Sequence, residues 1–143
     1  MKISRLAALT AVILPLLPAF GAVASESVGF TSGSIRETFT STSSGGFEDA
    51  IVMLPDDDAA VHQLQSQMRK RAQAFARGDF VDPTNPHGDL VPGLREMRDQ
   101  WNKMHVQYEN LPRGSRVRYT SSDPVMVEAL HQWFTARAVN KIR

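Results

Sequence analysis

The chain has 143 residues, 16 Lys and Arg against 15 Asp and Glu, and no cysteine. This is enough chain for one domain with its own apolar core. The composition excludes a disulfide framework, a thiol nucleophile, a lipid-attachment cysteine and Cys-ligated zinc. A formal charge of +1 also lacks the dense basic face that nucleic acid requires.

Residues 1–24 have the pattern of a secretory signal peptide. Lys2 and Arg5 precede an uncharged apolar run from Leu6 to Leu17, and Ala22-Val23-Ala24 forms a small-x-small cleavage signal before Ser25. The run falls short of the roughly 20 apolar residues of a membrane span and is broken by Pro15 and Pro18. An exported protein, periplasmic or secreted, is expected, with no stable span after cleavage. Cleavage removes two of the 16 basic residues and turns the formal charge from +1 to −1.

A polar leader, residues 25–33, is followed by a single domain over 34–143. Ser34–Thr42 and Phe47–Leu54 read as strands around the turn signal Ser43–Gly46. Asp57 or Asp58 is placed to cap a helix running to Ala76. Val61, Leu64, Met68, Ala72 and Phe75 form its apolar stripe, and Gly78 is its stop. Residues 78–92 form a long Pro- and Gly-rich loop, and Gly93–Lys103 a short helix with Leu94, Met97 and Trp101 on one face. Met104–Asn110 and Ser115–Ser121 alternate as strands. Met104, Val106, Tyr108, Val117 and Tyr119 point inward, whereas His105, Gln107, Glu109, Arg116 and Arg118 point outward. Asp123-Pro124 then opens a helix whose stripe is Val127, Leu130, Phe134 and Ala138.

An offset of 69 residues lays the first half on the second. Pro55 meets Pro124, His62 meets His131, Gly45 meets Gly114, Phe39 meets Tyr108 and Ile51 meets Thr120. Each half reads strand, turn, strand, helix, through duplication or through pseudo-symmetry alone. The expected fold is α+β: a four-stranded antiparallel sheet from two ββα halves, with helices on one face and the other face wet.

No pair of histidines has a local metal-site spacing, so any site must be assembled by the fold. His87 stands between Pro86 and Gly88 in the long loop, either a binding residue on a stiff backbone or a simple turn residue. His131 follows Leu130 with Glu128 one turn earlier, either a ligand or acid–base group or a packed flank histidine. His62 follows the aspartates as a weaker ligand or a solvated residue of an acidic helix start. The methionines suggest copper beside histidine, or core filling. There is no G-x-S-x-G motif, calcium loop or phosphate loop.

The runs FARGDFVDPTNPHGDLVPGLREMRD (residues 75–99) and VQYENLPRGSRVRYTSSDPVMVEALHQWFTAR (residues 106–137) resemble a family of short exported proteobacterial proteins of uncharacterised function. The shared features are the G-[DN]-F turn, the loop histidine before a Pro-Gly pair, the Y-E-x-x-P-R-G-x-R-V hairpin and the D-P-x-x-x-x-x-L-H helix start. Members sometimes carry the label aspartate carbamoyltransferase. This chain has neither the length for that enzyme's two α/β domains nor its Ser-Thr-Arg-Thr phosphate loop. The resemblance marks His87 and His131. Relatives often place a methionine near the loop histidine, where this chain has Leu90-Val91-Pro92.

Three functions follow as expectations. The first is a non-catalytic exported protein that binds copper or a haem-like ligand through His87 and His131. The second is a periplasmic protein-interaction module that uses the polar sheet face. The third is a small enzyme with a histidine base.

Overall fold

The computed structural model describes residues 34–80 and 90–139. The signal peptide, the leader and His87 lie outside the described residues, as does most of the loop expected over 78–92. The described chain runs β1 (Ile35–Thr42), β2 (Gly45–Val52), α1 (Asp58–Phe75), α2 (Leu94–Asp99), a 3₁₀ turn at Trp101–Lys103, β3 (His105–Leu111), β4 (Gly114–Thr120) and α3 (Pro124–Val139). The strands form one antiparallel sheet in the order β1-β2-β4-β3. The α+β sheet built from two hairpins, each followed by a helix, is therefore present.

Two-residue loops, Ser43-Ser44 and Pro112-Arg113, close the hairpins and fix their registers, Thr42 opposite Gly45 and Leu111 opposite Gly114. The hairpins meet along β2 and β4, where Glu48 pairs with Val117. These two residues stand 69 positions apart, so the pseudo-two-fold axis passes through their pair. Its consequences recur on both sides. Val52 N donates to Arg113 O, and Ser121 N donates to Ser44 O, both at 2.9 Å. A Cβ on Gly45 would lie 2.2 Å from Tyr119 O, and one on Gly114 would lie 1.9 Å from Ala50 O. Each half thus needs glycine where it abuts the other's backbone.

The helices obey a different offset. α1 starts at Asp58 with Asp57 as N-cap, its carboxylate accepting from Ala60 N at 3.0 Å. α3 starts at Pro124, and Asp123 Oδ1 accepts from Val125 N at 2.9 Å and from Met126 N at 3.3 Å. Asp57 and Asp123 are 66 residues apart, as are the first helical residues. Measured from equivalent strand positions, the first connection is three residues longer. It includes Asp56 in the left-handed region (φ 58°), which aspartate tolerates better than most residues. The expected matches of Pro55 with Pro124 and His62 with His131 are therefore corrected. Pro124 begins a helix, whereas Pro55 lies in the turn before one.

α1 covers β4 and β3 and reaches β2, while α3 covers β1 and β2, so each helix lies mainly over the other half's hairpin. Between them and the sheet, Leu64, Met68, Ala72 and Phe75 of α1 meet Met126, Ala129, Leu130, Trp133 and Phe134 of α3. The α3 stripe centres on Met126, Trp133 and Phe134 rather than on Val127 and Ala138. Tyr119 packs edge-on to Trp133, with ring centroids 5.4 Å apart, and Phe75 and Phe39 extend the aromatic layer. α2 buries Leu94 and Met97 against this assembly, but Trp101 leaves the expected helical face. It lies in the 3₁₀ turn, 42% exposed, with its ring over Gly78. No described helix is long and apolar enough to cross a membrane.

Candidate functional site

The histidines are not gathered together. His62 and His105 are exposed, and their side chains make no hydrogen bond among the described residues. His131 is half-buried, and its Nε2 stands 3.0 Å from both Thr42 O and Gly45 O. Carbonyl oxygens only accept, so Nε2 carries the proton and donates it to both. In the neutral ring, Nδ1 then holds the lone pair. Among the described residues, no group of three or more His, Asp or Glu is arranged to hold a metal ion.

The other half shows what this contact does. Gln65 Nε2 donates to Leu111 O at 3.0 Å and to Gly114 O at 2.9 Å. Leu111 and Gly114 are the counterparts of Thr42 and Gly45 at the hairpin offset, and Gln65 is the counterpart of His131 at the helix offset. Each helix thus clamps the mouth of the hairpin beneath it with one side-chain N–H donor group. An amide serves on one side and an imidazole on the other.

A second polar constellation lies inside. Glu48 is fully buried on the helix-facing side of β2, forms an ion pair with Arg71 of α1, and accepts a 3.3 Å hydrogen bond from the Tyr119 hydroxyl. Glu37 of β1 faces Arg137 of α3 at 4.0 Å. Burial opposes the charged form of Arg71, but Glu48, Tyr119 and Glu37 together outweigh it and hold the guanidinium above its ordinary pKa. Burial first, and then the Glu48 carboxylate, push the Tyr119 phenol well above its usual range, so it serves as a neutral donor. Arg71 Nε and Ser115 Oγ are buried without a hydrogen-bond partner. Each of these two carboxylates of the first hairpin, Glu48 and Glu37, is thus paired with an arginine from a helix above the sheet.

The open sheet face carries the third constellation. Asp49, Arg116 and Glu109 form one row across β2, β4 and β3, and Phe47, Arg118 and Gln107 form the next. Arg116 grips Asp49 through a fork of 2.7 and 2.8 Å. That hydrogen bond, offset in part by desolvation, raises its pKa. The Arg116 guanidinium stacks 4.3 Å from the Phe47 ring, and Arg118 stands 5.6 Å from it on the neighbouring strand position. Among the described residues, Arg118 makes no ion pair and the Gln107 side chain makes no hydrogen bond. Gln107, Tyr108, Glu109, Arg116 and Arg118 line a shallow depression of about 460 Å³.

Alternation had already placed Arg116, Arg118, His105, Gln107 and Glu109 outward, as the structure has them. It did not single out Phe47, Glu48, Arg71 or Gln65. The parity of Gly46, Glu48, Ala50 and Val52 was the available signal for Glu48, but Phe47 and Ile51 give the opposite face an equal apolar claim. Comparison with protein-family models, curated proteins and solved structures gives no match.

Proposed function

We propose that this chain is a small non-catalytic binding protein that docks a partner protein on its open sheet face. One observation carries the reading: Arg118 lines an open depression with Gln107, Glu109 and Arg116, lies 5.6 Å from the Phe47 ring, and forms no ion pair among the described residues. Its neighbour Arg116 is already engaged by Asp49. Arg and aromatic residues are the side chains that most often anchor interfaces. The signal-peptide pattern of residues 1–24 supports a periplasmic or secreted setting for that partner. The test is capture of partner by the wild-type chain, by Arg118→Ala and by His131→Gln. A partner retained by wild type and His131→Gln but lost with Arg118→Ala supports the reading. Capture indifferent to Arg118 overturns it.

One observation favours a second reading, in which His87 and His131 hold copper or a haem-like ligand. The ring of His131 is oriented by backbone carbonyls through Nε2–H while Nδ1 keeps its lone pair, and metal-bound histidines are commonly oriented in this way. His131→Gln preserves the clamp and removes that donor atom. Titration with Cu(I), Cu(II), Zn(II) and haemin separates the cases. Binding tighter than millimolar that is lost in His131→Gln and in His87→Ala supports this reading, and binding unchanged in both rejects it.

A further inference from the structure

We infer that a second copy of this chain pairs with the first along the outer edge of β3, antiparallel and centred on Gln107, so that two four-stranded sheets join into one of eight strands. Among the described residues β3 has β4 on one side and no strand on the other. Its hairpin closes at Leu111 opposite Gly114, and the two-residue loop makes that a hydrogen-bonded pair. Alternation then turns the backbone groups of His105, Gln107 and Glu109 toward β4 and those of Val106, Tyr108 and Asn110 outward. The strand keeps a one-to-one register along its length, with no proline or bulge to block a further strand.

Charge selects the occupant and the register. His105 and Glu109 are exposed on the open face, and neither makes an ion pair among the described residues. They stand about 13 Å apart along one strand, too far to meet each other. Arg116, across from Glu109 on β4, already gives its fork to Asp49. His105 and Glu109 flank Gln107 symmetrically, so an antiparallel copy centred there sets each His105 directly across from the other copy's Glu109. An imidazole has an N–H to donate to that carboxylate whether neutral or protonated. The row Asp49–Arg116–Glu109 then continues into the second copy's His105. On the helix side the same register sets Val106 against Tyr108, an apolar pair. Centring on Glu109 would oppose two carboxylates, and centring on His105 two imidazoles. The other edge, β1, carries Arg36 and three threonines on its open face and no carboxylate, so it offers no such self-complement. Because α1 covers β4 and β3, its two copies come to lie about two strand spacings apart, roughly 10 Å, an ordinary distance for packed helices.

The experiment joins sedimentation equilibrium of the full chain with site-specific cross-linking, which the absence of native cysteine makes clean. Gln107→Cys sets two thiols at a non-hydrogen-bonded pair, about 4.5 Å apart at Cα and within disulfide reach. Under diamide it is expected to give a covalent dimer. His105→Cys and Glu109→Cys, whose like positions lie more than about 10 Å apart, are expected to remain uncross-linked. Glu109→Lys should raise the dimer dissociation constant at least about tenfold, and adding His105→Glu should restore most of the affinity. His105→Lys should tighten the dimer beyond wild type. The Val106 and Tyr108 amides, unprotected in dilute monomer, should gain protection from hydrogen exchange as protein concentration rises. A wild-type chain that stays monomeric at about 1 mM overturns the inference. So does association that ignores these charges, or equal cross-linking from all three cysteine positions. Unchanged thermal midpoints separate loss of pairing from loss of fold. Gln107→Cys and His105→Lys place no new cation beside Arg116, so they keep the test decisive if Glu109→Lys fails to fold. Every outcome leaves capture through Arg118 to be judged on its own.

Discussion

The two ββα halves share a backbone plan and differ in the chemistry hung on it. Both hairpins close with two-residue loops, set a glycine against the other's backbone and hand a carbonyl to the other's strand end. Both helices start from an aspartate cap and clamp a hairpin mouth. Both also carry an arginine at the equivalent place, Arg71 and Arg137. The carboxylates are one-sided, however: Glu37 and Glu48 stand in the first hairpin where the second has Val106 and Val117. The interlocking frame is therefore what the halves have in common, and the ionic cluster is what tells them apart. The clamp adds a second lesson, because a position filled by Gln65 in one half does not require the acid–base chemistry of His131 in the other.

Making the halves alike or unlike tests this contrast, and the ionic cluster should give the largest effect. Arg71→Met leaves the Glu48 carboxylate buried without its cation and should cost about 3–5 kcal/mol in urea denaturation. Adding Glu48→Val, which copies Val117 onto the first hairpin, should recover most of that loss. A double variant as unstable as the single one would show that the pair does not set the cost. The clamps come next. His131→Ala and Gln65→Ala each leave two hairpin carbonyls without their donor and should lower stability by about 1–3 kcal/mol, whereas His131→Gln should stay within about 1 kcal/mol of wild type. If His131→Gln proved as damaging as His131→Ala, the equivalence of the clamps would fail.

The caps give the smallest effect, and it depends on pH. Lys103 Nζ reaches Asp123 Oδ2 at 2.7 Å, and Asp57 has no such cation among the described residues. The Lys103 hydrogen bond, followed by that from Val125 N, lowers the Asp123 pKa. Its contribution is thus present above the ordinary carboxylate range and is lost as pH falls through the lowered folded value. Asp123→Asn retains a cap but should flatten the acid limb of the stability profile below about pH 4. An acid limb identical to wild type would remove Asp123 from that account.

Much of the frame was legible because it rests on local signals. Alternation gave β3 and β4 their faces, turn residues marked both hairpins, and aspartates marked both helix starts. The mismatch at Pro55 and Pro124 arose because proline and histidine coincide in spacing while the helix begins three residues later in the first half. The caps of Asp57 and Asp123 and the clamps of Gln65 and His131 reveal that shift. Glu48 was concealed by Phe47 and Ile51, large apolar residues on the wet face. The inward parity is enforced at Gly46, where a Cβ would lie 2.2 Å from the Phe134 ring, a constraint that comes from α3 and not from the strand itself. Phe47 gains its own cover from two arginines on another strand, a long-range contact without a signature in the residues beside it.

Because each helix roofs mainly the hairpin of the opposite half, neither half can open alone without stripping apolar cover from the other. Hairpins of this size form in about 1–10 μs, but β2 must find β4 across the whole intervening chain before either roof is in place. Folding should accordingly be limited by the joining of the halves. Native-state hydrogen exchange should report one common opening free energy for the central amides of β2 and β4, with the frayed edges of β1 and β3 exchanging sooner.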